Sequence, residues 1–250
     1  MDQPIIELRQ VTKNFGPVNV LRGVDFKAYA GKVTALVGDN GAGKSTLIKG
    51  LAGVQPYDGG EVMFEGEPVV LHHPREAARH GIEVVYQDLA LCDNLDIVQN
   101  MFLGREETDM GTFNEGQMEV EAAAALMSLS VKTVKSLRQK VSSLSGGQRQ
   151  TVAIARSVVK QAKVVILDEP TAALGVAQTE QVLNLVRRLA DSGVAVIIIS
   201  HNLQDVFKVA DDVWVLYLGT MTAKLAVSDT DPDSVVGYIT GTKRMEMADS

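Results

Sequence analysis

The sequence predicts an α/β fold with a mostly parallel sheet, an antiparallel β region near the N-terminus and an inserted helical lobe. Residues 33–37 and 164–167 are short, almost entirely apolar stretches, as is typical of strands buried on both faces. Each stretch leads into a glycine-rich or acidic segment and then into apolar residues at helical spacing. Strands that alternate with helices in this way form parallel sheets, which bind ligands at the carboxyl ends of their strands.

The first third of the chain has the period of two that indicates antiparallel strands. Val24, Phe26 and Ala28 fall on one face, and residues 61–65 run into a turn at 66–68. The strand at 33–37 lies between these parts and precedes a predicted helix at 44–51. A second short helix is expected at 74–80, since proline opens it and glycine follows its end. It leads into a strand at 82–86.

Helical spacing dominates from residue 89 to residue 161, which we interpret as the inserted lobe. Ile97 and Met101 are expected on one helix face, and Val120, Ala124 and Met127 on another, with a polar interruption at 104–116. Residues 1–88 and 162–250 then form the core.

The second part of the core repeats the strand and helix alternation. After the strand at 164–167, a helix with an apolar stripe of Val182, Val186 and Leu189 ends near Gly193. A strand at 194–200, a hairpin at 213–227 and a short helix opened by Asp231 follow.

Composition limits the location and the partners of the chain. Its 250 residues are 46% hydrophobic, yet no apolar run approaches the about 20 residues that span a bilayer. The N-terminus has neither a basic leader nor an apolar stretch, and one cysteine cannot form an internal disulfide. We therefore expect a cytoplasmic protein. The net charge of −7 argues against extended nucleic-acid binding, which needs a lysine and arginine surface.

A glycine-rich loop after the strand at 33–37 predicts nucleotide binding. It reads Gly38, Asp39, Asn40, Gly41, Ala42, Gly43, Lys44 and Ser45. Small residues let backbone N–H groups converge on phosphate oxygens, and the following helix adds its positive N-terminal end. Lys44 would supply a mobile positive charge and Ser45 a hydroxyl ligand to Mg²⁺, with Thr46 beside it. The loop predicts a P-loop NTPase core that binds ATP and Mg²⁺, the alternative being a turn that is merely rich in glycine.

Polar side chains follow three other strands at the same predicted sheet edge. Asp168 and Glu169 end the strand at 164–167; we expect Asp168 to serve the metal and Glu169 to act as general base toward water. His201 and Gln87 end two further strands. An imidazole there can contact a γ-phosphate, although a histidine after a strand is more often a local cap. The alternative is that Asp168 and Glu169 are simply two solvated acids before a turn at Pro170.

A second anion-binding helix start lies within the lobe. Leu144 is followed by Ser145, Gly146, Gly147 and Gln148, and then by a helix with Val152, Ala155 and Val159 on one stripe. A single P-loop site does not need a second phosphate cradle, but two chains arranged head to tail can each offer it to the other's ATP. With this motif the chain resembles the ATP-binding cassette ATPases of membrane transporters, whose signature is LSGGQ.

The resemblance covers nearly the whole chain and keeps the family's motif order. It implies that Ser145, Gly147 and Gln148 contact the γ-phosphate bound by the opposite protomer, and that Gln87 ligates the metal and couples its site to a membrane partner. It also implies that Phe15, 29 residues before Lys44, stacks on adenine, whereas spacing alone also allows a core phenylalanine. The resemblance makes Lys44, Gln87, Glu169 and His201 the catalytic set.

One segment departs from the family pattern. The family usually has Ser-Ala-Leu-Asp after the acidic pair, and this chain has Ala172, Ala173, Leu174 and Gly175. The missing carboxylate at Gly175 puts the usual polar link between protomers in doubt. We expect ATPase activity to survive, since Lys44, Glu169 and the signature remain.

The segments at 38–44, 101–106 and 171–175 resemble the ATPases of bacterial monosaccharide importers of the ribose, xylose and fructose type. This resemblance implies a peripheral protein at the cytoplasmic face of the membrane, permease subunits, a second cassette and, indirectly, a solute-binding protein. A cassette ATPase acting on ribosomes or DNA is the main alternative, though those types carry paired cassettes or long coiled coils. A small-molecule kinase that shares only the P-loop would leave the signature without a purpose.

Overall fold

The structure, a computed structural model, describes residues 3–109, 111–131, 134 and 136–243. The strands within these ranges are β1 Ile6–Phe15, β2 Val18–Ala28, β3 Val33–Val37, β4 Gly59–Phe64, β5 Glu67–Val69, β6 Ile82–Val85, β7 Thr108–Asp109, β8 Thr112–Phe113, β9 Val164–Asp168, β10 Ala195–Ile199, β11 Asp212–Tyr217 and β12 Thr220–Ala226. The α-helices are α1 Lys44–Leu51, α2 Pro74–Arg79, α3 Ile97–Phe102, α4 Glu115–Ser128, α5 Gly146–Val159, α6 Val176–Asp191, α7 Leu203–Val209 and α8 Pro232–Ile239.

The larger sheet has six strands in the order β12-β11-β3-β10-β9-β6. All neighbours are parallel except β12, which forms an antiparallel hairpin with β11. Ile199 pairs with both Leu36 and Asp168, and Val85 pairs with Leu167. The carboxyl ends of β3, β10, β9 and β6 are therefore level, which brings the loops after them to one edge.

A smaller antiparallel sheet, in the order β2-β1-β4-β5, covers one face of the larger one. Val24, Phe26 and Ala28 are buried along β2, as their alternation predicts. Phe26 packs in one apolar cluster with Leu36 of β3 and with Leu47 of α1. The predicted fold class is confirmed: a mostly parallel sheet with an N-terminal antiparallel sheet.

Helices cover the other face of the larger sheet. The segment at 89–161 contains α3, the β7–β8 hairpin, α4 and α5. Its apolar side chains, including Ile97 and Met101, join one continuous cluster with Val33 of β3 and with the Val182, Val186 and Leu189 stripe of α6. The lobe segment thus packs directly on the layer that carries the nucleotide loop.

Val120, Ala124 and Met127 lie in α4, as their spacing predicts, but on a face that is not the buried one. Val120 and Met127 are 64% and 76% exposed, and the buried residues are Met118, Ala122, Ala125 and Leu126. Alanine, valine, leucine and methionine surround this helix, so a period of 3.6 fits more than one face. Packing against α3 and α5 selects the face with Leu126.

None of the described helices is both long and apolar enough to cross a bilayer. The longest of them, α6, has 16 residues and presents its apolar stripe to the protein core.

Candidate functional site

The glycine loop connects β3 to α1, whose N-cap is Gly43. A Cβ added to Gly38 would lie 2.2 Å from the backbone oxygen of Leu216 in β11, so only glycine fits there. Gly43 has a φ of 108°, in the region that side chains disfavour. The N–H of Gly219 donates to the Ala42 carbonyl at 3.0 Å. The β11–β12 turn therefore holds the loop from outside.

The side chain of Lys44 lies over this loop. Its Nζ donates to the carbonyl oxygens of Gly38 at 2.7 Å and Asp39 at 2.9 Å. Burial lowers the pKa of Lys44, and the charges of Glu169, Asp39 and Asp168 oppose that shift. A partly desolvated cation surrounded by N–H groups and carboxylates is suited to binding a polyphosphate that carries a metal ion.

A pocket of 520 Å³ opens where the loop meets the ends of the other strands. It is lined by Val20, Asn40, Gly41, Gly43, Lys44, Ser45, Thr46, Gln87, Asp168, Glu169, Ile199 and His201. The structure thus brings together the residues that the sequence places at four strand ends. A pocket of 470 Å³ at the β4–β5 edge contains none of them, so we assign the chemistry to the first.

The two acids in the pocket differ in their surroundings. Burial first, and the like charge of Glu169 second, raise the pKa of Asp168, while Lys44 and Lys49 lower it. Glu169 Oε1 accepts a hydrogen bond from the backbone N–H of His201 at 3.1 Å, and the ring Nδ1 of His201 lies 2.9 Å from the same oxygen. His201 thus orients the Glu169 carboxylate within the same protomer.

Glu169 also has a strained backbone, with a φ of 49°. For a residue other than glycine this conformation costs on the order of 1–2 kcal/mol, and such strain is concentrated at functional sites. Its N–H donates to the Ile199 carbonyl at 2.9 Å. This hydrogen bond holds the strained residue beside the end of β10, where His201 lies.

The donor set fits a magnesium ion bound together with phosphates. Mg²⁺ in such sites uses one or two carboxylate or hydroxyl ligands besides the phosphate oxygens. Ser45 and Gln87 expose oxygen ligands in the pocket, and a divalent cation would offset the cost of ionising Asp168 in its half-buried place. No cluster of three or more His, Cys, Asp or Glu side chains able to hold a metal occurs in the described ranges.

The predicted second cradle does not reach this pocket. Ser145 is the N-cap of α5: its Oγ accepts from the Gln148 N–H at 3.4 Å, and its N–H donates to Gln148 Oε1 at 2.9 Å. This reciprocal capping fixes an exposed turn. Gly147 packs so closely on α6 that an added Cβ would be 3.1 Å from Gln178 Cβ. The glycine loop and the turn at 145–148 thus lie at separate places on the chain.

Other predicted residues lie beside the pocket. Gly38, Asp39 and Ala42 belong to the glycine loop but do not line the pocket. Phe15 does not line the pocket either. Phe15 is 44% exposed at the end of β1, with Lys13 Nζ 5.7 Å from its ring centroid, so it is not a core residue. Sequence reasoning missed Val20 and Ile199, apolar lining residues that no motif marks.

Gly175, where the family pattern has a carboxylate, is the N-cap of α6 and is exposed. Its N–H donates to Gln178 Oε1 at 3.1 Å. The side chain of Gln178 thus contacts both this loop and Gly147, and the loop folds without the carboxylate.

This geometry defines a nucleotide-hydrolysing cassette, and comparison with known proteins names its family. The family described as ABC transporter matches residues 21–172. The chain belongs to the ABC transporter family and is an ATPase of that family.

Two curated relatives match over nearly their whole length. A fructose import ATP-binding protein of Rhizobium meliloti is 42% identical, over 96% of this chain and 95% of the relative. A xylose/arabinose import ATP-binding protein of Sulfolobus acidocaldarius is 43% identical, over 94% of each. Among solved structures, an ABC transporter cassette in its ADP conformation superposes with a TM-score of 0.81 at 26% identity, over 95% of both chains.

Proposed function

We propose that this ATPase powers the import of a monosaccharide through a separate membrane permease, working as a dimer with ATP held between two cassettes. One observation carries the proposal. A single pocket is lined by Lys44, Gln87, Asp168, Glu169 and His201, while the turn at 145–148 contributes nothing to its lining. In the dimer, each chain then contributes one half of each of the two ATP sites. The second cassette is another copy of this chain or a related one.

Binding of ATP is assigned to the glycine loop and the aromatic residue before it. The backbone N–H groups at 38–46 and the Lys44 ammonium take the phosphates. Phe15 stacks on adenine, for which its exposed ring at the end of β1 is available. Such stacking contributes about 0.5–1.5 kcal/mol beyond burial.

We assign Ser45, Gln87 and Asp168 as the protein ligands of Mg²⁺. When bound, the ion would neutralise charge on the transferring phosphoryl group. Asp168 must be ionised for this role, and the nearby Lys44 favours its ionised form.

Glu169 is assigned as the general base. It accepts a proton from the attacking water, and its contact with His201 holds Oε1 in place while Oε2 remains for the water. General-base assistance contributes about 10²–10⁴-fold. The imidazole of His201, 74% exposed, turns its other nitrogen away from Glu169, toward a γ-phosphate.

The turn of Ser145, Gly146, Gly147 and Gln148 acts on the partner's ATP. Its capped helix start presents N–H groups and a positive dipole end to that γ-phosphate. ATP then joins the two cassettes, and hydrolysis loosens them.

The substrate class rests on the relatives, both sugar-import proteins by name. The sugar itself would contact the permease and an external solute-binding protein, and the cassette would lie at the cytoplasmic face of the membrane without binding nucleic acid. We divide the chain into a RecA-like core with its antiparallel subdomain, 1–88 and 162–250, and a signature lobe, 89–161. The termini at 1 and 250 lie outside the described residues.

Purification from detergent-solubilised membranes tests this function. A tagged chain should retain a membrane protein, and proteoliposomes of that complex should take up radiolabelled fructose, xylose or ribose with ATP but not with the Glu169→Gln variant. Recovery with ribosomes or DNA, and no membrane protein, would favour the alternative cassette ATPase.

A further inference from the structure

The segment that follows Gln87 is bonded directly to the segment that precedes the signature turn. The N–H of Val141 donates to the Leu95 carbonyl at 3.0 Å, and the N–H of Ser142 donates to the Asp93 carbonyl at 3.1 Å. Only two residues separate Ser142 from Ser145. Residues 93–95 are therefore joined by backbone hydrogen bonds to the segment directly before the signature turn.

Arg149 adds a side-chain link between the same two segments. Its NH1 lies 3.2 Å from Asp93 Oδ1, while its Nε and NH2 donate to the carbonyls of Leu144 at 3.3 Å and Ser142 at 3.4 Å. One guanidinium thus contacts the loop after Gln87 and two carbonyls of the segment that leads into α5. Lysine could not make these three contacts, because it lacks the planar fork.

The position of Arg149 is unfavourable without these contacts. It is the fourth residue of α5, whose first turn has no acidic residue, and a cation near a helix N-terminus opposes the helix dipole. Asp93 and the two carbonyls offset that repulsion, because they give the guanidinium an anion and two hydrogen-bond acceptors.

We propose that Arg149, paired with Asp93, is a positioning residue that sets the signature turn according to the conformation of the loop after Gln87. It thereby connects the ATP site of its own chain to the site of the partner. This inference rests on the proposed function, in which residues 145–148 serve the partner's ATP. Arg149 itself contacts no nucleotide in this scheme, since its donors are directed to Asp93, Ser142 and Leu144.

Steady-state ATPase measurements test the link. Arg149→Met should lower kcat about tenfold and leave the KM for ATP within about twofold, because the chain's own phosphate loop is unchanged. Asp93→Asn should lower kcat about two- to threefold, since this acid is 63% exposed and its pair is screened. The kcat of the double variant should be no lower than that of Arg149→Met, because the two changes remove the same interaction between Arg149 and Asp93. Arg149→Lys should recover only part of kcat.

A matched control removes a similar ion pair elsewhere. Lys163 pairs with Glu65 at 2.8 Å, and both side chains are 51% exposed. Lys163→Met should leave kcat unchanged. Effects of Arg149→Met and Asp93→Asn that multiply, or an equal loss in Lys163→Met, would overturn the proposal.

Amide hydrogen exchange on the full-length monomer without ATP tests the link between Arg149 and the signature turn independently of dimerisation. Arg149→Met should speed exchange at residues 141–148 about fivefold or more, and change residues 155–159 less than about twofold. Uniform or absent change would contradict the inference. ATP-driven dimerisation of the Glu169→Gln chain is measured separately, so a failure of the proposed function is distinguished from a failure of this link.

Discussion

Substitution of Gly38 by alanine tests how the nucleotide loop is positioned. The added Cβ would meet the Leu216 carbonyl oxygen at 2.2 Å and the Ala42 Cβ at 3.3 Å. Ordinary contacts of a Cβ begin at 3.4 Å, so the loop or β11 must shift by about 1 Å. A misplacement of that size costs about 10²-fold in rate. We expect Gly38→Ala to lower kcat/KM for ATP by about this factor.

The assay is steady-state ATPase together with fluorescence titration of a nucleotide analogue. Gly193→Ala is the control, since Gly193 has a φ of 97° and no atom within 4 Å of an added Cβ, and it lies after α6, away from the pocket. It should lose about 1 kcal/mol of stability and keep its ATP affinity. Affinity and turnover of Gly38→Ala within about threefold of the unmodified chain would refute the reasoning, since the close approach to Leu216 would then not position the loop.

Two further predictions concern Asp168 and Gly175. The folded-state pKa of Asp168 is raised, so the folded chain loses stability as pH rises from the ordinary value of 3.8 through the raised one. Asp168→Asn without metal or nucleotide should therefore raise Tm at neutral pH and have no effect below 3.8. Calorimetry that shows an equal gain at both pH values would contradict this. In Gly175→Asp, the new carboxylate should accept a hydrogen bond from the Gln178 N–H as an N-cap and raise Tm by about 1 °C. ATPase activity should stay within about twofold of the unmodified chain. A large gain in turnover would mean that the missing carboxylate limits the activity of the chain.

The strands and the site were predictable because buried parallel strands leave strong local patterns. Each one is a short apolar run, and the polar residue after it, such as Asp168 or His201, falls at the carboxyl edge of the sheet. The register of the sheet then places these residues around one pocket.

Three features could not be predicted from local pattern. The buried face of α4 does not follow from its spacing, because alanine-rich sequence does not select a face. Val20 lines the pocket only because β2 passes over the loop, a tertiary contact without a motif. The contacts of Arg149 with Asp93 join residues 56 positions apart, which only the folded lobe brings together.

The central claim is that ATP is hydrolysed between two cassettes, each supplying half of the site. The measurement is light scattering of the purified Glu169→Gln chain with and without ATP. The same measurement is made on a chain that also carries Ser145→Arg, a change that blocks the signature turn but not the chain's own pocket. We predict that ATP doubles the mass from the 26.9 kDa monomer and that the added Ser145→Arg change abolishes this dimer while ATP still binds. A Glu169→Gln chain that stays monomeric in saturating ATP, or a dimer that survives Ser145→Arg, would contradict the account.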